Sequence, residues 1–165
     1  RGAKLEGADL EGADLSYAKL NGADFSRANL NNANLNQASL SNTDLLEGTN
    51  LNRASLNAAN LSQCNLQGTN LRGSDLSHAN LSETKLAYAD LRRANLSEIN
   101  LRGADLNNAD LGRADLRGAN LRGTDLSLAI LRGSELTGAY YDKHTKWPQG
   151  LMPDVAGAIF DDTSS

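Results

Sequence analysis

The sequence has few of the large, varied side chains from which most globular cores are built. Aromatic residues make up only 4% of its 165 residues, and methionine, valine and cysteine each occur once. A core of interlocking large side chains is therefore excluded. No run of 18 apolar residues is present, so the sequence predicts no transmembrane helix. The single Cys64 excludes an internal disulfide.

The sequence also lacks a strong net charge of either sign. Its 16 basic and 20 acidic residues give a net charge of −4. Proteins that bind nucleic acid commonly carry a clear basic excess, concentrated on one face. The composition therefore predicts no nucleic-acid partner, and the sequence offers no segment for a membrane.

What the sequence has instead is a repeat of five residues. Leu and Ala supply 52 of the 65 apolar residues. A large apolar residue recurs at every fifth position from Leu5 to Leu45 and again from Leu51 to Leu136, which gives 27 units, 26 centred on Leu and one on Phe25. Two positions before the centre stands Ala in 18 units, and one position before it stands Asp or Asn in 20.

A period of five fits neither an α-helix nor a β-strand over any length. A chain that turns a corner after every five residues would direct both the Leu and the small residue inward. Asn and Asp suit such corners because they bond to nearby backbone, and Gly suits them because it accepts positive φ. Four corners close a coil of 20 residues, so the 27 units make almost seven coils. Stacked at the strand spacing, they would form a rod roughly 30 Å long.

This pattern resembles that of the pentapeptide repeat proteins. Residues 22–26 (GADFS) and 103–107 (GADLN) are specific matches, and the resemblance covers about residues 1–140. It implies an all-β solenoid, a right-handed quadrilateral β-helix of about seven coils of 20 residues each. The leucine-rich repeat has a longer period with differently spaced Leu and does not fit.

Residues 141–165 differ in composition from the repeat and contain the only Trp, the only Met and both Pro. They are similar to tails that close several pentapeptide repeat proteins, particularly cyanobacterial ones. We therefore divide the chain into a β-helix, residues 1–140, and a capping tail, residues 141–165. The tail predicts a loop followed by a short helix from about Pro153, because Pro is favoured at a first helical position. The apolar face of that helix would carry Val155, Ala156, Ile159 and Phe160.

Leu128 and Ile130 are the residues that we expect the tail to cover. Both fall at places that should face outward near the last coil. An exposed apolar pair favours a covering element, so we predict that Trp147, Leu151 or Phe160 packs over it. If both residues stay exposed, the pair becomes a candidate contact for a second copy of the chain.

Assigning every fourth unit to one wall places arginines in a column. The second wall holds the centres from Leu10 to Leu131, and its outward and corner positions carry six arginines. This column is a candidate contact surface for an acidic partner. Asp90 and Asp110 lie on the same wall, and we expect them to neutralise much of the column. The six residues are Arg53, Arg72, Arg92, Arg93, Arg113 and Arg132.

Two further expectations concern the exterior of the rod. Around residues 29–82 the exterior is mostly Asn, Ser and Gln, and stacked Asn side chains can hydrogen-bond along the rod axis. The one spacing of six predicts a bulge that holds an extra residue, formed by Leu46, Glu47 and Gly48.

Nothing in the sequence assembles a catalytic centre. Catalysis needs convergent groups in a concavity, whereas a rod packed with Leu offers flat walls. His78 falls on a corner and His144 in the tail, so no Ser-His-Asp set can be argued. No Cys/His metal spacing or phosphate-binding loop is present either. We predict a protein that is not an enzyme and needs no cofactor or metal.

Two functional classes stay open. The favoured one, implied by the family resemblance, is a structural or protein-interaction module that presents rigid flat faces to an unknown protein partner. The alternative is the binding of a type II topoisomerase (gyrase) by DNA mimicry, which some pentapeptide repeat proteins perform. The near balance of basic and acidic residues in the second half of the chain disfavours it. Ice binding is a weaker third class, because most Thr residues are inward.

The oligomeric state and the compartment follow less directly. The repeat begins at once with Leu5, so we expect a monomer or a dimer formed through an exposed rod end. The start at Arg1 is compatible with removal of an export signal and a place in the thylakoid lumen or periplasm, and equally with a cytoplasmic protein.

Overall fold

The computed structural model describes residues 2–43 and 48–163. One residue on each of four walls pairs in parallel with the residue 20 positions later, and the pairing repeats coil by coil as far as Asp125 and Lys146. The four-walled solenoid predicted from the period of five is confirmed. We number the walls by the pairs of the first coil, which are Lys4 with Asp24, Asp9 with Asn29, Asp14 with Asn34, and Lys19 with Ser39.

Backbone hydrogen bonds tie the described units of the central coils to the next coil. The N–H of Leu56 donates to the carbonyl of Asp75 over 2.7 Å, and the N–H of Asp75 donates to the carbonyl of Ala54 over 3.0 Å. At the corner, the N–H of Ala58 donates to the carbonyl of Ser77 over 3.0 Å. A continuous ladder of this kind satisfies the backbone of each wall, as in any parallel sheet.

The corners explain why the unit contains Asp or Asn. The carbonyl of Leu56 accepts a bond from the N–H of Ala59 over 3.0 Å, which closes a tight turn. Before it, Ala58 lies in the left-handed region, a conformation that it shares with fourteen other non-glycine residues of the described ranges, at φ between 54° and 62°. The side-chain oxygen of Asp75 accepts a bond from the N–H of Ser77, two residues on, over 3.1 Å. This local acceptor stabilises a corner that most side chains would otherwise disfavour.

The core is filled by the Leu and Ala positions of the repeat. Phe25 and Ile99 are also fully buried. Inward Thr hydroxyls are satisfied, since Thr84 Oγ1 donates to the carbonyl of Leu61 over 3.1 Å. Cys64 takes the same role, with Sγ 2.9 Å from the carbonyl oxygen of Leu40. These inward hydroxyl and thiol groups therefore donate to backbone carbonyls of the preceding coil, whereas Trp147 Nε1 at the capped end is buried without a hydrogen-bond partner among the described residues.

The extra residue between the ninth and tenth units changes the register only once. Paired residues are 20 positions apart before it, 21 apart across it, as for Asn29 and Asn50, and 20 apart again from Asn50 to Asn70. Of the bulge predicted at Leu46, Glu47 and Gly48, the first two residues lie outside the described residues. The insertion is absorbed within one coil, so the walls above and below it stay aligned.

The tail closes the rod by continuing the ladder. Strand β1, Tyr140–Tyr141, pairs in parallel with strand β2, Ile159–Phe160. Lys146 pairs with Asp125, which places Trp147 at the position that Leu126 holds one coil earlier. The tail thus adds a rung to the first wall and another to the fourth.

Three aromatic rings meet at this end of the rod. The ring of Tyr141 lies edge-on to Trp147 at 5.5 Å and to Phe160 at 5.4 Å between ring centroids. Each ring stands where the repeat has Leu, so aromatic contacts replace the Leu layer at this end of the rod.

Asp142 fixes the start of this cap. Burial alone would raise the pKa of its carboxyl, but hydrogen bonds from the backbone N–H groups of Gly123 and His144 and from the Thr145 hydroxyl hold the pKa below its ordinary value. The carboxylate therefore links the tail to the preceding coil.

The helix predicted from Pro153 is wrong. Residues 153–157 form a turn that ends at Gly157, whose φ of 83° lies outside the helical range. Beyond it, the N–H of Ile159 donates to the carbonyl of Ala139 over 2.7 Å. The coil below thus offers the chain a strand partner, which a helix could not use. Across the described residues, no helix is long and apolar enough to span a bilayer.

The predicted cover over Leu128 and Ile130 is also wrong. These residues are 61% and 53% exposed. Trp147 and Leu151 pack against the buried core instead, and the ring of Phe160 contacts the ring of Tyr141 edge-on. The reason is the ladder, which carries the tail across the open end of the core rather than down the outside of a wall.

The left-handed corner gives a prediction about stability. Replacing Ala58 by Gly should leave the free energy of unfolding unchanged or raise it by up to about 1 kcal/mol, because Gly adopts positive φ without strain. Replacing the adjacent Ala59, which is buried, by Gly should lower the free energy of unfolding by about 1 kcal/mol or more, because a buried methyl group is lost and the unfolded chain gains entropy. Urea unfolding of both variants measures the difference, and an equal loss in both would contradict this account of the corner.

Candidate functional site

The corner that follows the second wall carries a column of arginines. The ladder stacks residues 20 or 21 positions apart, so each corner side chain lies beside its counterparts from the neighbouring coils. The N–H of Arg53 donates to the carbonyl of Arg72, and the N–H of Arg113 to that of Arg132, both over 3.0 Å. All six arginines of the column are exposed. We call this surface the arginine corner, and it comprises Arg53, Arg72, Arg92, Arg93, Arg113 and Arg132.

Glycines between the arginines leave space for their side chains. A Cβ atom on Gly73 would lie 3.7 Å from Cγ of Arg53, and one on Gly133 would lie 3.6 Å from Cγ of Arg113. The arginine stems therefore lie over the glycines of the adjoining coils. Two neighbouring shallow depressions result, of about 590 and 490 Å³. Both are lined by Arg72, Arg92 and Arg93.

Only one arginine of the corner is neutralised by an ion pair in the described part of the chain. Arg92 contacts Asp90 through two bonds, Nη2 to Oδ2 over 2.5 Å and Nε to Oδ1 over 2.7 Å, and its Nε lies 3.6 Å from Asp110 Oδ2. Direct pairing is thus confined to Arg92 among the described residues, although the charge of Arg72 also acts on Asp90, and five guanidinium groups keep their donors available to solvent. Those five are Arg53, Arg72, Arg93, Arg113 and Arg132.

The bidentate contact has an electrostatic signature. Hydrogen bonding to Arg92 holds the pKa of the Asp90 carboxyl below its ordinary value of 3.8, although partial burial opposes the shift. The same contact raises the pKa of Arg92. Both groups are therefore charged throughout the physiological pH range.

The character of the corner changes along the rod. At the N-terminal end Glu11 is acidic, but its carboxylate accepts bonds from the Asn29 and Asn31 side chains. In the middle the amides bond to one another, as Asn52 Nδ2 does to Asn31 Oδ1 over 3.0 Å. The predicted Asn ladder is thus present, and on the adjoining wall Asn70 Nδ2 donates to Asn50 Oδ1 over 3.1 Å. Unused hydrogen-bond donors are concentrated at the C-terminal, basic end.

Two apolar side chains adjoin that basic end. Ile130 stands where Asp110 stands one coil earlier, and it lines the same depression as Arg132. Leu128 lies two residues before it on the neighbouring corner, and both are exposed. Sequence reasoning assigned these residues to the cap, although one signal was visible, because Ile130 is the one aliphatic residue at a position otherwise occupied by polar groups.

The remaining chemistry of the surface is sparse. His78 lies 3.3 Å from Glu98 at another corner, and both are exposed. Over residues 2–43 and 48–163, no group of three or more His, Cys, Asp or Glu side chains could hold a metal ion. What the arginine corner can do is bind anionic groups by charge-assisted hydrogen bonds, with an apolar contact at one end.

Comparison with known proteins places this geometry in a family. A model of pentapeptide repeats matches the chain in eight copies, over residues 1–32, 8–45, 46–77, 74–113, 94–133 and 109–140. The chain belongs to the pentapeptide repeat family. Its fold is the right-handed quadrilateral β-helix of that family. No curated protein matches the chain.

Solved structures of pentapeptide repeat proteins resemble the chain to different degrees. Rfr23 from the cyanobacterium Cyanothece 51142 is 44% identical with a TM-score of 0.56, over 56% of this chain and 63% of Rfr23. A trypsin-treated variant of QnrB1, a plasmid-mediated fluoroquinolone resistance protein, has a TM-score of 0.63 over 96% of this chain and 90% of its own. At 16% identity that likeness shows the fold alone. A thylakoid-lumen pentapeptide repeat protein of Arabidopsis thaliana is 26% identical, with a TM-score of 0.33 over 74% of this chain and 71% of its own.

The ion pair of this pentapeptide repeat protein gives a pH prediction. Replacing Arg92 by Gln should raise the pKa of Asp90 towards 3.8, which NMR titration of the Asp90 carboxyl measures. A carboxyl group whose pKa is lower in the folded state than in the unfolded state stabilises the protein at pH values above the unfolded-state pKa. This stabilisation is lost as the pH falls through the folded-state pKa. The stability difference between wild type and variant should therefore vanish at acid pH.

The matched control is Arg117→Gln, which removes a similar contact to Asp115 on the third wall. It should leave the pKa of Asp90 unchanged. An equal shift of the Asp90 pKa in both variants would contradict a local contact between Arg92 and Asp90.

Proposed function

We propose that this pentapeptide repeat protein is a non-catalytic interaction module that binds a protein partner through the arginine corner. The observation that carries the proposal is the set of five exposed arginines without ion pairs, next to exposed Leu128 and Ile130. Protein interfaces are enriched in arginine and have a more apolar buried centre than the rest of the surface, whereas isolated solvated charges need no apolar neighbour. The ladder holds these side chains on a fixed backbone, so little order has to be gained on binding.

The interior of the rod supports a non-catalytic role. Its walls are packed with Leu and Ala down to 0–2% exposure in the central coils. The depressions at the arginine corner are shallow and hold charged groups of mainly one sign, without a base placed to activate a nucleophile. Such a surface suits binding rather than bond making.

The basic corner also bears on the alternative of DNA mimicry. A protein that imitates DNA needs an array of negative groups spaced like phosphates. Here Asp90 and Asp110 are flanked by six arginines, and Arg92 contacts both. Positive charge therefore dominates the arginine corner, which favours an anionic partner over a DNA-binding one.

Affinity capture with matched variants tests the proposed function. The corner variant carries Arg93→Gln, Arg113→Gln and Arg132→Gln. The control variant removes three positive charges elsewhere on the exposed surface, by Arg27→Gln, Lys85→Gln and Arg102→Gln. Wild type and control should retain the same protein from a cyanobacterial extract, and the corner variant should lose at least about 90% of it.

Equal capture by wild type, control variant and corner variant would contradict binding of the partner through the arginine corner. Circular dichroism and thermal unfolding establish that each variant is folded, which the exposed positions of the substitutions lead us to expect.

A supercoiling assay separates the two functional classes. The purified protein should leave DNA supercoiling by gyrase unchanged at concentrations of about 10 µM, because its basic corner cannot occupy a DNA site. Clear inhibition of supercoiling, or protection of gyrase from a quinolone, would instead support the topoisomerase alternative.

A further inference from the structure

We propose that the arginine corner binds an extended, acidic segment of the partner protein, with one apolar side chain of that segment against Ile130 and Leu128. This inference rests on the proposed function and adds the chemistry and shape of the partner. Three features of the corner carry it: the unused guanidinium groups, the length of the column and the apolar end.

The unused donors select carboxylates. Guanidinium groups bind carboxylates through paired, charge-assisted hydrogen bonds, and the planar fork of arginine suits this geometry better than lysine does. Arg92 demonstrates the geometry within the chain, through its two bonds to Asp90. The corner contains no lysine, so every cation in it is of the type that makes paired bonds.

The length of the column selects an extended chain. From Arg53 to Arg132 the arginines occupy five consecutive rungs, or four steps of about 4.8 Å, which amounts to about 19 Å. An extended peptide covers this distance in about six residues. A single carboxylate ligand would leave most of the column unused, and a helix would present acidic side chains on one side only at every third or fourth residue.

The apolar end gives the segment a direction and an anchor. Ile130 lines the depression that also contains Arg113 and Arg132. An aliphatic side chain that follows the acidic residues would bury Ile130 and part of Leu128, which are otherwise half or more exposed. Such a contact adds specificity that charge alone lacks.

A protein segment fits these features better than a nucleic acid. Asp90 and Asp110 stand beside the column and would repel a continuous line of phosphates, whereas a peptide can place neutral backbone beside them. Among the described residues, the corner also has no aromatic side chain on which a base could stack.

A second copy of this chain fits less well too. The acidic end of the same corner offers Asp9 and Glu11, whose oxygens already accept bonds from Asn29 and Asn31. Two carboxylates that already accept hydrogen bonds cannot match the five arginines without ion pairs.

Synthetic peptides test the proposal on the full chain. The probe is a seven-residue peptide of alternating Asp and Glu that ends in Leu, made with Leu at either terminus, and binding is measured by isothermal titration calorimetry at low salt. The comparison peptides replace Leu by Ser, or all acidic residues by Asn and Gln. An oligothymidylate of equal charge represents nucleic acid.

The variants assign the binding to the corner. The corner variant, which carries Arg93→Gln, Arg113→Gln and Arg132→Gln, should bind the acidic peptide about tenfold or more weakly than wild type does. The control variant should lose less than about twofold in affinity. Ile130→Ser should weaken the Leu-containing peptide about fivefold and leave the Ser-containing peptide unchanged. Added salt should weaken binding in every case.

Each other outcome overturns the proposal in a defined way. Oligothymidylate that binds as tightly as the acidic peptide would replace the protein segment by a nucleic acid. Self-association that light scattering detects, and that the corner variant abolishes, would replace it by a second copy. No peptide binding at about 1 mM, with capture of a partner still dependent on the corner, would overturn the acidic segment while the interaction module stands. If the peptides do not bind and the capture of a partner does not depend on the corner, the proposed function is overturned as well.

Discussion

The backbone ladder between successive coils is the constraint on which the rest of the structure depends. Its bonds join backbone atoms 19 to 22 residues apart, as from the N–H of Leu91 to the carbonyl of Asp110 over 2.8 Å. Because no side chain takes part in these bonds, the exterior residues can vary without changing the ladder. Any side chain type repeated at the coil period then becomes a column along the rod. The arginine corner and the Asn ladder are two such columns, and they differ only in the residues placed there.

The inward half of each unit has far less freedom. A corner every five residues forces the Leu and the small residue into a confined interior and places one residue of nearly every described unit at positive φ. Asp and Asn offset part of that strain by accepting the N–H two residues on, as Asp115 does from Arg117 over 3.1 Å. Local chemistry thus fixes the corners, and burial fixes the walls. The result is a scaffold whose surface can specialise without disturbing the fold.

The sequence was sufficient to predict the structure of the repeat and insufficient to predict the structure of the capping tail. A strict period determines the register, and the register alone places Arg53 and Arg132 on one corner. The cap is different, because Trp147 follows Tyr141 by six residues and the chain then bypasses two walls before Ala158. With the period broken, the local cue of Pro153 suggested a helix. The choice of Arg92 as the one paired arginine depends on side-chain geometry, which no spacing determines.

The exposure of Leu128 and Ile130 had the same origin. Their outward positions followed from the register, but what covers them depended on where the tail goes. Since the ladder directs the tail across the core, the apolar pair stays beside the arginine corner. A surface that sequence reasoning divided between a charge column and a cap is therefore one continuous surface in the folded chain.

Site-specific photo-crosslinking tests most directly whether this surface meets the partner. A benzophenone amino acid in place of Leu128, 61% exposed beside the arginine corner, is compared with the same group in place of Tyr17, 68% exposed at another corner. Irradiation with the partner captured by the wild-type chain should give a covalent product from position 128 and little from position 17. Equal products from both positions, or a product from position 17 alone, would contradict recognition through the arginine corner.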